Sequence, residues 1–451
     1  MAATHQPRRP ARSALLAALL AGMGAASWAL DLQQAYDAAL EQDASIRASR
    51  AAAESGRERL PQARAQLLPS LSASWGRTKN RLETTQPNML GQLSTRDDTY
   101  MSYGKVVSLR QPLFNKQRWA QYRQAEAQVE QAEAVLSDDL QKLAVRVSSA
   151  YFDALLADDQ LALIEAQKTT YTTQVDAARK ALAAGSGTRT DIDDAQSRLD
   201  MAIAQELEAR QNQDYTRRTL ESLINQPAGA LAGIDVARMP LLPPDPLQLE
   251  DWTRMAEGAS AEIKAMKAQL EAARREVEKT QAGHYPTLDA SAQWSDSASE
   301  NITSIHSRYV NKAVGLQLSI PLYAGGYVNS TVRQALAEQE RISESLEALR
   351  RDLALRVNKE YRGVTEGILR VRALEQAARS ADQLVLSTRK SFEAGSRTQV
   401  DILNAEQSRM QTLRDLAQAR YLYLLSRIRL QTLAGGDREA AIAEVNGWLR
   451  H

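Results

Sequence analysis

No proline lies between Pro112 and Pro227, and none follows Pro321. Both tracts carry apolar residues at helical spacing, as in Leu140, Leu143, Val147, Ala150 and Ala154. A helix over residues 116–183 would be about 100 Å long at 1.5 Å per residue. No compact domain houses such a rod, so it must belong to a coiled coil, a helical tube or a spacer. The composition agrees: Ala, Gln, Leu, Arg and Glu dominate and aromatics are only 5%, a profile that favours long helices over sheet.

The chain is also duplicated. Arg110-Gln111-Pro112-Leu113-Phe114 resembles Ser319-Ile320-Pro321-Leu322-Tyr323, and Ala184-Gly185-Ser186 with Thr188 recurs as Ala394-Gly395-Ser396 with Thr398. Asp191 and Asp401 keep the same separation as Tyr151 and Tyr361. Leu68-Pro69-Ser70-Leu71 likewise parallels Tyr285-Pro286-Thr287-Leu288. The organisation expected is a leader over 1–29, a first repeat over 30–239, a connector over 240–247 rich in proline, a second repeat over 248–437 and a C-terminal segment over 438–451. Each repeat reads helix, strand, loop, strand, very long helix, short break, helix. The leading helices fall over 31–66 and 248–282, and the breaks over 184–190 and 394–400.

Strands are expected at about 67–77, 100–112, 286–295 and 313–321. Val314, Leu316, Leu318 and Ile320 alternate with Gly315, Gln317 and Ser319, while Leu71, Ala73 and Trp75 alternate with serines. Lys105 is the exception in its strand. One apolar face and one small or polar face is the pattern of an outer-membrane barrel wall, although these strands alone fit a soluble sheet with one wet face equally well. The polar segments 78–99 and 295–311 read as external loops joining each strand pair. Four strands cannot close a barrel, and an open sheet in lipid would leave two edges of unpaired backbone groups. Closure must come from other copies of the chain. Two copies would give eight strands and a packed lumen, and three would give twelve and an aqueous one, so the expected fold is mostly α with membrane β, closed by three or more copies, with the helices continuing the barrel into the periplasm. The hairpin breaks would then be the tips farthest from the membrane.

The remaining features exclude other classes. A net charge of +1 gives no electrostatic footprint for nucleic acid. The absence of cysteine removes disulfides, thiolate metal sites and a thiol nucleophile. Arg8, Arg9 and Arg12 precede an apolar stretch from Ala14 to about Ala26, and Ser27-Trp28-Ala29 offers a cleavage site, so an exported chain starting near Leu30 is expected. His5, His284, His306 and His451 have no metal-ligand spacing, and Gly185-Ser186-Gly187 is not a phosphate loop. No catalytic residue, metal or cofactor is expected, and the chain is not read as an enzyme.

Gly283-His284-Tyr285-Pro286-Thr287-Leu288-Asp289, the run from Asn311 through Pro321-Leu322-Tyr323 to Ser330, and Gly395-Ser396-Arg397-Thr398-Gln399-Val400-Asp401 resemble the TolC family, in the same order and repeat frame. The resemblance covers residues 30 to 440. It implies a homotrimer in contact with outer-membrane lipid, a trimeric 12-stranded β-barrel in the outer membrane continuing into a 12-helix periplasmic α-barrel. It also implies partnership with a periplasmic adaptor (a membrane fusion protein) and an inner-membrane pump or ABC transporter. The family's two constriction aspartates map onto Asp401 and Asn404, the second not an acid here. Arg397 matches the family's gate-locking arginine, with Thr190 and Asp191 as its partners, and Phe392 stands where the family has a tyrosine. Asp191 and Asp194 share a helix face, as do Asp401 and Asn404, and repetition around an axis would turn them into charged rings favouring cations. Asp191 and Asp401 also stand three residues after Thr188 and Thr398, where helix capping alone would explain them. Phe114 and Tyr323, just past Pro112 and Pro321, would anchor at the inner lipid interface or pack at a bend. The competing class is a periplasmic adaptor or spacer, which would carry one hairpin rather than two. Cargo is open between small toxic molecules and a secreted polypeptide.

Overall fold

The computed structural model describes residues 29–299 and 307–450. The leader, apart from Ala29, lies outside them, as do His306 and His451. Helices α1 (Leu32–Gln42), α2 (Ala44–Arg57) and α3 (Arg59–Ala65) lead into strands β1 (Ser70–Pro87) and β2 (Leu93–Phe114). Helices α4 (Lys116–Ala183) and α5 (Arg189–Ile224) complete the first repeat. The second runs α6 (Leu249–Ala259), α7 (Ala261–Gln281), β3 (Thr287–Ser299), β4 (Ser307–Ser319), α8 (Tyr327–Glu393) and α9 (Gln399–Leu433), with α10 (Arg438–Asn446) after it. The proline-free tracts are the two long helices and their partners. Among the described residues no helix is long and apolar enough to cross a membrane.

Breaks in the leading helices have local causes. Asp31 opens α1 with a capping box, its carboxylate accepting from the Gln34 amide at 2.7 Å. Asp43 restarts the helix by accepting from the Ile46 amide at 3.0 Å, and Ser260 does the same for Ile263 at 3.3 Å.

The chain forms two compact units, and they are not the two repeats. One comprises residues 48–139 and 259–353, the other residues 1–47, 140–258 and 354–451. Each repeat contributes to both, because its long helix has one part in each. The first of these units holds a four-stranded antiparallel sheet in the order β1-β2-β3-β4. Its central pairing, β2 with β3, joins the two repeats, with Leu109 opposite Ala292 and Val107 opposite Trp294.

The segments expected as loops are largely strand. β1 and β2 stay paired from Ser70 with Arg110 to Pro87 with Leu93, leaving a tight turn in which the Asn88 side chain accepts from the Leu90 and Gln92 amides. Cross-strand polar pairs explain this: Thr85 with Thr95 at 3.0 Å, Arg81 with Asp97 at 2.8 Å and Asn80 with Ser102 at 2.8 Å. Polarity there marks two wet faces, not lost backbone pairing. The second segment is strand to Ser299 and again from Ser307. Pro112 lies inside β2, where the register shifts between Pro112 and Phe114 as a bulge.

In the other unit the core lies between helices. Tyr171, Val175, Ala195, Ala202 and Leu403 form one buried cluster from α4, α5 and α9. Val371, Ala378, Leu416 and Ala419 form another between α8 and α9, with Leu241 of the connector against it. Repeat-related tyrosines hold the irregular segments. The Tyr151 hydroxyl bonds the Leu30 and Ala232 carbonyls at 2.9 Å, and the Tyr361 hydroxyl donates to the Leu247 carbonyl at 2.5 Å.

Helices α8 and α9 approach closely at Gly363, where an added Cβ would sit 2.8 Å from the Ser426 Cβ. Gly363→Ala is therefore expected to destabilise this unit by roughly 1–3 kcal/mol, the usual cost of overpacking. Adding Ser426→Gly should recover part of that loss. Urea midpoints of the helical circular dichroism would measure both, and strictly additive losses would show that the approach is not tight.

Candidate functional site

The two hairpin tips lie in the unit built from residues 1–47, 140–258 and 354–451, and the same residues build both. α4 ends at Gly185 with φ 76° and α8 at Gly395 with φ 75°, the left-handed conformation that glycine adopts without a Cβ penalty. Ser186 and Ser396 return their amides to the Ala181 and Ser391 carbonyls at 3.0 and 2.9 Å. Thr188 and Thr398 then cap the following helices. The Asp191 amide donates to the Thr188 hydroxyl at 3.2 Å while the Asp191 carboxylate accepts from the Thr188 amide at 2.9 Å. The Thr398 and Asp401 pair repeats this at 3.3 and 2.8 Å. Both aspartates are thus capping residues, and both remain only partly buried.

Between the shared turn residues the tips differ at three positions, Gly187 against Arg397, Arg189 against Gln399 and Thr190 against Val400. Gly187 stands where the second repeat has Arg397, and a Cβ on Gly187 would meet the Ala181 Cβ at 3.0 Å. Arg397 reaches Asp401 on its own helix at 3.6 Å. The expected Arg397–Asp191 pairing is therefore not the contact that one chain forms. The i to i+4 partner on α9 is nearer to hand, and the Asp191 carboxylate is engaged by Thr188. Thr190, in the first turn of α5, is exposed. Phe392 is 41% exposed and faces a cavity of about 460 Å³ beside Gln174, Ala177, Arg389 and Ile402.

Asp194 and Asn404 are brought together by a residue that the sequence reading missed. Arg198 pairs with Asp194 at 3.3 Å and donates to the Asn404 side-chain carbonyl and to Gln407, both at 2.8 Å. It ties α5 to α9 within one chain. Asp194 is accordingly neutralised at close range and does not stand as a free substitute for the acid missing at position 404. The i to i+4 spacing of Asp194 and Arg198 was the available signal, but only the packing of α5 on α9 shows that Arg198 also reaches across.

The interface aromatics belong to the other unit. Phe114 ends β2 opposite Leu288 and is 47% exposed, while Tyr323 is 89% exposed ahead of Gly325 and Gly326, both at positive φ. Among the described residues no cluster of His, Asp and Glu could hold a metal ion.

The Thr398 amide, then its hydroxyl and the nearby Arg397, hold the Asp401 carboxyl below the usual carboxylate range against a smaller effect of burial. With the folded value depressed, the stabilisation of the α9 cap is complete above the ordinary carboxylate value of about 4 and is lost as pH falls through the folded one. Thr398→Val should move the Asp401 titration back toward the ordinary value and speed amide exchange over residues 399–402. An unchanged titration by carboxyl NMR would show that the cap does not set it.

The outer membrane efflux protein family model matches residues 35–226 and 252–436. The chain is 36% identical to the alkaline protease secretion protein AprF of Pseudomonas aeruginosa over 418 residues, covering 92% of this chain and 86% of that protein. It is 30% identical to the proteases secretion protein PrtF of Dickeya chrysanthemi, covering 97% and 95%. A crystal structure of a membrane protein from Pseudomonas aeruginosa superposes with a TM-score of 0.76 at 17% identity, covering 90% of this chain and 93% of that one, a likeness of fold.

Proposed function

The chain belongs to the outer membrane efflux protein family, and on that premise we propose that it is the outer-membrane exit duct of a type I secretion system whose cargo is a polypeptide. It sits in the outer membrane and extends into the periplasm. The observation that carries the cargo class is the 36% identity to a protein named for alkaline protease secretion, sustained over nearly the whole of both chains. Protease secretion is likewise the printed role of the second relative.

The working form is a homotrimer. Each copy supplies four strands to a 12-stranded barrel and its helices to a 12-helix tube. An inner-membrane ABC transporter and a periplasmic adaptor deliver cargo to the tips. Support comes from the sheet itself: among the described residues β1 and β4 each lack a second partner strand, and lipid tolerates no such edge. Phe114 and Tyr323 mark the inner lipid interface in this arrangement.

Asp191, Asp194, Asp401 and Asn404 form the mouth, with Asp191 and Asp401 as its charged members and Asp194 shielded by Arg198. Two arginines hold the mouth shut, Arg397 at the tip beside Thr190, Asp191 and Phe392, and Arg198 between α5 and α9.

A strain deleted for this gene should keep the cargo protease in its cells and release it again when the gene is restored. Normal secretion accompanied by sensitivity to small toxic compounds would move the function to drug efflux. In planar bilayers Arg397→Ser and Arg198→Ala should each raise single-channel conductance, and a variant with unchanged conductance removes that residue from the gate. Asp401→Ala should weaken block by multivalent cations, since the Asp401 ring then loses its carboxylates. Identical block would take Asp401 out of the mouth.

A further inference from the structure

Directly opposed residues of an antiparallel pair project from the same face of a sheet, so the strand register assigns every side chain of the wall. Leu71 lies opposite Leu109, Leu109 opposite Ala292 and Ala292 opposite Val314, which defines the apolar face. Along that same face toward the hairpin ends, cations enter at the two tryptophans, with Lys105 of β2 opposite Trp75 and Lys312 of β4 opposite Trp294. Beyond them Arg77, Lys79 and Arg81 of β1 and Arg308 of β4 alternate across the strands with Tyr103, Met101 and Ala298.

Only part of this charge is neutralised. Asp296 takes Arg308 in a bidentate pair at 2.8 and 2.7 Å, and Asp97 takes Arg81 at 2.8 Å. Glu83 is the other carboxylate of that face. Arg77, Lys79, Lys105 and Lys312 are exposed and without an ion-pair partner among the described residues. The opposite face at the same levels carries Thr78, Asn80, Ser102 and Gly104, and its one cation there, Arg96, is paired with Asp98 at 3.2 Å. The asymmetry is therefore specific to the face that carries the apolar band.

We propose that this belt is a binding surface for the phosphate groups of the glycolipid in the outer leaflet. The inference rests on the channel reading in one respect, that the apolar face meets lipid. All helix connections of the sheet lie at one end, with the hairpin turns at the other. Helices in the periplasm therefore put the belt at the outer leaflet. There the side chains sit level with and just past Trp75 and Trp294, the depth at which Lys and Arg stems lie along acyl chains while their heads reach the headgroup layer. Charge complementarity selects the ligand: four unpaired cations spread over three strands match a headgroup with several phosphates. An uncharged or zwitterionic surface would leave them unneutralised. The lumen face, being neutral, has no such preference.

The test uses the full-length chain purified in detergent and exchanged into phosphatidylcholine nanodiscs. Diphosphorylated lipid A, the same lipid with its phosphates removed, and phosphatidylglycerol are then titrated in. Diphosphorylated lipid A should bind at least tenfold more tightly than either control, with an affinity that falls as salt rises. Arg77→Gln, Lys79→Gln, Lys105→Gln and Lys312→Gln together should abolish the preference. The double variant Lys105→Gln with Lys312→Gln should weaken binding by about tenfold or more, each charge near an anionic surface being worth roughly a factor of five. Arg96→Gln, on the opposite face, should leave binding unchanged. Equal affinity for the dephosphorylated lipid or for phosphatidylglycerol would overturn the assignment, as would an equal loss in Arg96→Gln. Failure of the wild-type chain to float with neutral phosphatidylcholine vesicles would instead refute the membrane reading beneath it.

Discussion

The constraint on which the rest depends is the hydrogen-bonding demand of two sheet edges. Among the described residues β1 pairs only with β2, and β4 only with β3. In water such edges would be a hazard for aggregation. In hydrocarbon each unpaired amide and carbonyl costs several kcal/mol, more than a chain of marginal stability can leave unmet over two strands. In the proposed assembly strands of other copies satisfy these edges, and the curvature of the wall follows from how many take part. The pairing of β2 with β3 explains why the chain is duplicated at all. One repeat supplies a single hairpin, and two repeats supply a wall segment whose central seam is covalently committed.

Duplication also separates what the fold requires from what the site requires. Gly185 and Gly395, Ser186 and Ser396, Thr188 and Thr398, and Asp191 and Asp401 are retained because each makes the same bond in the same turn. Between them the repeats diverge at Gly187, whose amide donates to the Ala181 carbonyl at 3.1 Å, and Arg397. Each tip carries one arginine but at a different place, Arg189 after the cap in the first and Arg397 before it in the second. Asp194 and Asn404 diverge in the same sense, and Arg198 accommodates both by pairing with one and bonding the other.

Much of this was legible before any coordinates. The proline-free tracts marked both rods, and the Ala-Gly-Ser-x-Thr runs marked both turns, since these depend on local backbone chemistry alone. The ends of the strands were not legible. Residues 78–99 lose their apolar alternation where lipid ends, and polarity in a sequence does not tell a wet strand from a loop. Lys105 looked like a defect in an apolar strand, yet the register places it in a row with Trp75 and Asp296, at the margin of the band. The compact units were hidden for a different reason: the repeats are joined side by side through β2 and β3, so compactness does not follow chain order. Arg198 was missed because its partners on α9 lie more than 200 positions away.

The strength of the tip contacts bears on what they can do. Arg397 and Asp401 are separated by 3.6 Å with side chains 60% and 34% exposed, and such a pair contributes about 0–1 kcal/mol. Arg198 and Asp194 are more enclosed, at 21% and 32%, and two further bonds to Asn404 and Gln407 add to them. Hydrogen bonds from a charged donor contribute about 1.5–3 kcal/mol each. The tie between α5 and α9 is thus the stronger of the two. Neither rivals the buried apolar cluster of Tyr171, Val175 and Leu403 beneath it. A gate built this way yields at its rim before its core loosens.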